Sequence, residues 1–379
     1  MTRATARPDA TRNASPYLYG GEQAAVDQIL ASGHYGHGRA TEDFEEGVAR
    51  FLGVADTVAV SSGTAALHLA LLAADLRPDS EVIVPSLTFC ATIHAILAAG
   101  ARPRFVDVHP HTLCITPEIV EAALTPATAA VVPVLFGGRA VDLTPLHGTL
   151  DRRGITVVED AAHAFGSRCG TRWVGSTGEL TCFSFGPIKN ITCGQGGMIV
   201  PRTPAEAARL RGLRSLGVPA SADRRAAATT YEVTTVGFRA HMSTLNAAIG
   251  TVQLAHFAVA ESTRKHLWRQ YEAALKPMQG VDLVDVDVDN SVPHLAVVKV
   301  QDRDRVWEFM HARGIGVGVH YPPNHTQPAF RPWHRPLPAT ERLGEEIMTL
   351  PFHQHLGPED IHRVVDTLQQ ALAAAGAGR

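Results

Sequence analysis

Apolar residues in this chain fall into short blocks that recur in a regular rhythm. From about residue 20 to 255, runs rich in Val and Ile alternate with stretches whose apolar positions recur at helical spacing. "DTVAVSS" is followed by "TAALHLALLAADL", and "SEVIVPS" by "ATIHAILAAG". "RPRFVDV", "AAVVPVLF", "ITVVEDAA", "LTCFSF" and "GGMIVP" continue the series. Short apolar runs bounded by Gly, Pro and Ser, with helices between them, predict an α/β fold. Its sheet should be mostly parallel and covered on both faces. Ligands of such sheets bind beyond the carboxyl ends of the strands.

The rhythm then changes. "MSTLNAAIGTVQLAHFAVAESTRKHLWRQYEAAL" predicts one or two long helices, with Leu245, Ala248, Ile249 and Val252 near helical spacing. Beyond it, "HLAVVKV", a helix from about Arg303 to Arg313, "GVGVHY" and a terminal helix predict a smaller α+β unit. The expected division is a large α/β domain over residues 1–255 and a small C-terminal α+β domain over residues 256–379. "YPPNHTQPAFRPWHRPLP" is too rich in Pro for regular structure and should be a loop. "MTRATARPDATRNASPY" has no apolar centre. It reads as a flexible arm rather than a secretory signal.

Composition narrows the function classes. A net charge of −3 gives no global field toward nucleic acid or a membrane surface, so neither is an expected partner. No apolar run approaches the ~18 residues of a transmembrane helix. Five Cys without CxxC spacing argue against a disulfide framework or a Cys zinc site, and a reducing cytoplasm is the expected compartment. The 19 His include no HExxH or comparable spacing, so no metal is expected in catalysis.

Lys is scarce: only Lys189, Lys265, Lys276 and Lys299 occur among 34 basic residues. Lys189 lies in "SFGPIKNITCGQGG", between a strand-like run ending at Ser184 and the Gly194–Gly197 turn. Alone, it reads more readily as an exposed turn residue than as an amine nucleophile. "SSGTAALHLAL" places Gly63 and Thr64 at a helix start, where backbone N–H groups and a hydroxyl suit an anion. An ordinary N-cap by Ser62 or Thr64 accounts for the same pattern. "VVEDAAHAFGS" runs an apolar strand into Glu159 and Asp160, which puts a carboxylate at the ligand end of the sheet, although alone it reads more readily as an Asp capping the next turn.

Together these are the parts that pyridoxal phosphate needs. Its phosphate needs N–H groups and hydroxyls, its ring nitrogen a carboxylate and its aldehyde a lysine. Arg cannot form that imine, so even an Arg-rich chain must hold Lys there.

At this point the sequence resembles the DegT/DnrJ/EryC1/StrS family of fold type I sugar aminotransferases. The markers are "SSGTAALHLAL", "VIVPSLTFCAT", "GARPRFVDV", "VVEDAAHAFGS", "SFGPIKNITCGQGGMIV" and "AAIGTVQL". The resemblance implies that Lys189 forms the Schiff base and shuttles the proton, and that Asp160 pairs with the ring nitrogen. It implies that Gly63, Thr64 and Ser184 hold the phosphate, that Phe89 stacks on the ring, and that His163, often Gln in the family, lies near the ring hydroxyl. It also implies a homodimer with shared active sites. The family commonly reads Gly-Tyr-Asn-Tyr-Arg-Met where this chain has "GFRAHM". Arg239 therefore stands for the Asn that reaches the neighbouring subunit's phosphate, and His241 for the Arg. Gln195 stands where Glu is common. "GIGVGVHYPPNHTQPAF" is similar to the substrate-side loop, which makes His320, Tyr321, Asn324 and His325 candidate sugar ligands.

The implied reaction moves an amino group from an amino acid, Glu or Gln, to a nucleotide-linked keto-sugar in amino-sugar or antibiotic biosynthesis. A free keto-cyclitol or keto-sugar as acceptor is the alternative within that chemistry. A dehydratase of the same family would carry His in place of Lys189. A non-catalytic binding partner built on the same fold is the alternative from another class.

Overall fold

The computed structural model describes residues 12–218 and 229–376. Two helices, α1 (Glu22–Ser32) and α2 (Arg39–Leu52), precede the sheet. The sheet strands are β1 (Val58–Val60), β2 (Glu81–Pro85), β3 (Arg102–Val106), β4 (Thr128–Val131), β5 (Thr156–Asp160), β8 (Leu180–Ser184) and β9 (Gly197–Val200). A small hairpin, β6 (Arg168–Cys169) and β7 (Arg172–Trp173), intervenes. Strand order is β1-β9-β8-β5-β4-β2-β3. Only β9 opposes its neighbours, pairing antiparallel with both β1 and β8, so the sheet is mostly parallel. Its strands are buried almost throughout, as a sheet covered on both faces requires.

Helices α3 (Gly63–Ala73), α4 (Cys90–Ala98), α5 (Pro117–Ala123), α6 (His147–Arg153) and α7 (Pro204–Arg214) connect and cover these strands. Ser62 caps α3 by accepting from Ala65 N, and Thr116 and Thr203 cap α5 and α7 in the same way. The long apolar stretch becomes α8 (Thr244–Ala255) and α9 (Phe257–Leu275), broken at His256. Phe257 and Ala260 of α9 pack into the core of the large sheet, and Leu267 to Leu275 into a second core.

That second core lies on an antiparallel sheet of β10 (Val281–Leu283), β11 (Ala296–Val300) and β12 (Ile347–Leu350). Helices α10 (Arg303–His311), α11 (Pro338–Glu346) and α12 (Pro358–Gly376) accompany it. "GVGVHY" forms no strand. It makes one bridge, Gly318 to Thr349. The Pro-rich segment is irregular as expected, with short 3₁₀ turns at Asn324–Thr326 and Pro328–Trp333.

The flexible-arm expectation fails for the described part of the N-terminus, while residues 1–11 lie outside the described residues. Asn13 Nδ2 donates to Thr349 O at 3.0 Å, and Asn13 O accepts from Phe352 N at 2.9 Å. The carbonyls of Arg12 and Pro16 meet His353 and His355. Hydrogen bonds to the C-terminal sheet and the turn after it hold this segment in place. Among the described residues, no helix is long and apolar enough to cross a membrane.

Candidate active site

The end of β5 delivers Asp160 into a buried position. Thr92 Oγ1 on α4 donates to its Oδ2 at 2.7 Å, and Ala162 N to its Oδ1 at 3.2 Å. Burial raises the carboxyl's pKa, while these two donors and the charge of Lys189 oppose the rise.

Lys189 sits half-buried in the turn after β8, with Gly186 O accepting its backbone N–H. Burial lowers its amine to about 8, against the pull of Asp160. The next residue, Asn190, is buried and anchors the turn by donating to Phe165 O and Val292 O.

A close approach builds the third feature. A Cβ on Gly63 would stand 2.7 Å from Ser184 Cβ, and one on Gly197 2.4 Å from Ser62 O. Only glycine lets the start of α3 lie against the ends of β8 and β9. Ser62 spends its side chain on the cap. The first N–H groups of α3, those of Gly63 and Thr64, have no intrahelical acceptor by geometry. Thr64 is exposed, and Gly63 and Ser184 are half-buried, so the cradle faces outward.

Aromatic and imidazole groups crowd the remaining side. Phe89, directly before α4, is 55% exposed and lies 5.5 Å from the Tyr321 ring. His163 is buried, with its ring 4.3 Å from that of His294 and tilted 32° to it. Its Nδ1 accepts from Gly137 N at 3.4 Å, so its proton lies on Nε2 and is donated to Tyr321 Oη at 3.2 Å. His320 Nδ1 meets Thr349 Oγ1 at 2.8 Å, and Asn13 donates to the same hydroxyl at 3.2 Å. Burial, and then the charge of Lys189, lowers His320 to about 4 and holds His163 well below the usual imidazole range. At neutral pH both are uncharged and do not compete with the lysine for Asp160.

The structure thus gathers Gly63, Thr64 and Ser184 at one place, and Phe89, His163, His320 and Tyr321 around the Lys189–Asp160 pair. Two expected sugar ligands are elsewhere. Asn324 is buried, and its Nδ2 donates to Ser86 O at 3.0 Å and Thr88 O at 2.6 Å. His325 is fully buried between Ser86 and Glu341. Both fasten the loop to the segment before α4. Arg239 is exposed, and it lies with His37 and His241 on a separate cleft beside β1. Sequence reasoning passed over Thr92, Asn190 and His294. Thr92 had a usable signal, since it lies in the first turn of the helix that directly follows Phe89.

A model of the DegT/DnrJ/EryC1/StrS aminotransferase family matches residues 17–369. The chain belongs to this family. DesV from S. venezuelae, solved with a ketimine intermediate, is 34% identical over 94% of this chain and 98% of its own, with TM-score 0.87. The sugar aminotransferase CalS13 from Micromonospora echinospora is 30% identical over 95% and 99%, with TM-score 0.88. The putative sugar aminotransferase Spr1654 from Streptococcus pneumoniae, in its PLP form, is 25% identical over 95% and 98%, with TM-score 0.88. The fold is that of the type I enzymes, and the chain is an aminotransferase that uses pyridoxal phosphate. The residues present fit that cofactor: an outward cradle closed to any Cβ at Gly63, a buried carboxylate and an amine of lowered pKa.

Proposed function

We propose that this aminotransferase transfers an amino group from Glu or Gln to a nucleotide-linked keto-sugar in amino-sugar or antibiotic assembly. What carries the chemistry is the placement of Lys189 in the turn after β8, near enough to the buried Asp160 at the end of β5 for each charge to act on the other. The sugar acceptor rests on the likeness to CalS13, named a sugar aminotransferase. When bound, pyridoxal phosphate supplies the ring that withdraws electrons from the carbon bearing the amino group.

This chain's residues do the rest. Gly63 and Thr64 offer backbone N–H groups, and Thr64 and Ser184 hydroxyls, to the phosphate. Asp160, oriented by Thr92, keeps a proton on the ring nitrogen. Phe89 covers a ring face. His163 gives its Nε2 proton to Tyr321, which leaves the phenol hydrogen free for an oxygen in the cleft. Lys189, largely able to shed its proton near pH 8, accepts and returns the proton that moves during transfer. His320 and Tyr321, both half-buried, face the acceptor.

The functional unit is a homodimer in which Arg239 serves the neighbouring site. Its exposure supports this, as do the exposed apolar side chains of Leu216, Tyr231, Val233, Val236 and Phe238 on the same part of the chain.

One screen tests the acceptor. Enzyme carrying the amine form of the cofactor is mixed with nucleotide-linked keto-sugars and, separately, with free keto-cyclitols. Recovery of the aldehyde-form spectrum with the linked sugars is expected. Recovery with free ketones alone would replace the proposal by the cyclitol reading.

A further inference from the structure

We propose that His325, His334 and Glu341 form a binding site for one divalent metal ion of the zinc type. The ion would have a structural role and share no residue with the Lys189 cleft. One candidate ligand atom from each of the three residues lies within 4.8 Å of the others. The His325 and His334 rings are 5.4 Å apart, and His325 Nε2 is 3.2 Å from Glu341 Oε1. Zinc bonds of about 2.0–2.1 Å in a tetrahedron bring ligand atoms to roughly 3.3 Å of one another. The three must therefore close in slightly. His334 and Glu341 are exposed, and His334 lies on the Pro-rich loop, so it can make that movement.

Two of the ligands are already aimed. His325 is fully buried, and its Nδ1 lies 2.7 Å from Ser86 Oγ, the kind of outer partner that orients a metal-bound imidazole. Ser86 Oγ also accepts from His325 N at 2.9 Å. In the metal-free state the serine therefore gives its own proton to Nδ1, and Nε2–H is donated to Glu341. On metal binding, the imidazole proton moves from Nε2 to Nδ1, which donates to Ser86 Oγ, and the freed Nε2 lone pair takes the ion. The ring stays neutral and the serine oxygen uses both lone pairs as acceptors, so the exchange balances.

Glu341 Oε1 accepts from Leu337 N at 2.9 Å, which holds the carboxylate beside His325 Nε2. Glu345 lies one helical turn further along α11 and lines the same open cleft of ≈ 550 Å³ with His334 and Glu341. It, or water, completes four-fold coordination. Two imidazoles and a carboxylate make a borderline donor set, which favours zinc over magnesium or calcium.

The consequence is mechanical. The ion would clamp the Pro-rich loop to α11. Through His325–Ser86 and Asn324–Thr88, it would also clamp it to the segment that carries Phe89.

Equilibrium dialysis of the full-chain holoenzyme against Zn²⁺ tests the site, with His334→Ala and Glu341→Gln alongside. Both residues are exposed, so the fold should survive. Wild type should bind one ion per chain that each variant binds at least tenfold more weakly. Zn²⁺ should raise the Tm of wild type and leave that of His334→Ala unchanged. Equal uptake by wild type and His334→Ala would overturn the proposal, and so would no uptake by wild type.

Discussion

Thr92 donates a 2.7 Å hydrogen bond to Asp160 across 68 residues of chain. It ties the first turn of α4 to the end of β5 and aims a carboxylate that burial would otherwise push toward neutrality. A hydrogen bond to a charged group contributes roughly 1.5–3 kcal/mol. Thr92→Val should therefore lower kcat/KM by about tenfold to a hundredfold. Asp160→Asn should retain bound cofactor and lose more activity than Thr92→Val. Single-turnover rates with the amino donor check both, and near-wild-type rates in Asp160→Asn would assign the carboxylate another role.

Lys189 titrates in the folded protein at about 8 rather than 10.5. Both folded and unfolded chains are protonated below that pH, and there the folded state bears the cost of burying the charge. The cost disappears as pH rises from about 8 toward the unfolded value. Competitive acylation of the cofactor-free protein should show Lys189 reactivity rising with a midpoint near pH 8. Lys189→Arg should fold, bind cofactor without the absorbance of the covalent form and show no transamination.

Gly63→Ala tests the cradle. Its Cβ would stand 2.7 Å from Ser184 Cβ, so either α3 or β8 must shift. Overpacking of this kind costs about 1–3 kcal/mol. The expected outcome is cofactor dissociation at least tenfold faster, measured by dialysis, with a lower Tm. Unchanged retention would show that the helix start does not hold the phosphate.

Glu159 adjoins the site yet points to Thr181, whose hydroxyl donates to it at 2.7 Å. Burial raises its carboxyl to about 7. The folded state keeps the proton while the unfolded chain loses it near 4.5, so stability from this group falls as pH rises from about 4.5 to 7. Glu159→Gln mimics the protonated form. It should match wild type at about pH 4, below the unfolded-state value, and exceed it at pH 8 by about 1–3 kcal/mol in denaturant titrations. An equal difference at both pH values would contradict the shift.

Arg239 can be assigned by mixing subunits. Lys189→Arg chains combined with Arg239→Ala chains should regain up to half of wild-type activity per dimer if the arginine works across the interface. One site then carries both lesions and the other carries none. No recovery would place Arg239 in its own subunit's site, and a fully active Arg239→Ala enzyme would remove it from the reaction.

The sequence by itself determined the layers of the large sheet, because strand and helix periods are local signals that burial on both faces makes strong. It also determined the glycine at the start of α3, the carboxylate at the end of β5 and the lysine in a turn, each readable from its immediate neighbours. Other relationships it could not determine. Asn13 meets Thr349 across 336 residues, and Asn324 meets Thr88 across 236. Asn324 and His325 were candidate sugar ligands because their polar segment resembles the family's substrate-side loop. Packing against the end of β2 buried them and used up their hydrogen bonds. Which polar group meets which depends on the spatial order β1-β9-β8-β5-β4-β2-β3 and on where the C-terminal loop lands upon it. Hydrophobic period places a residue on the inner or outer face of its own element. Only the assembled sheet supplies its partner.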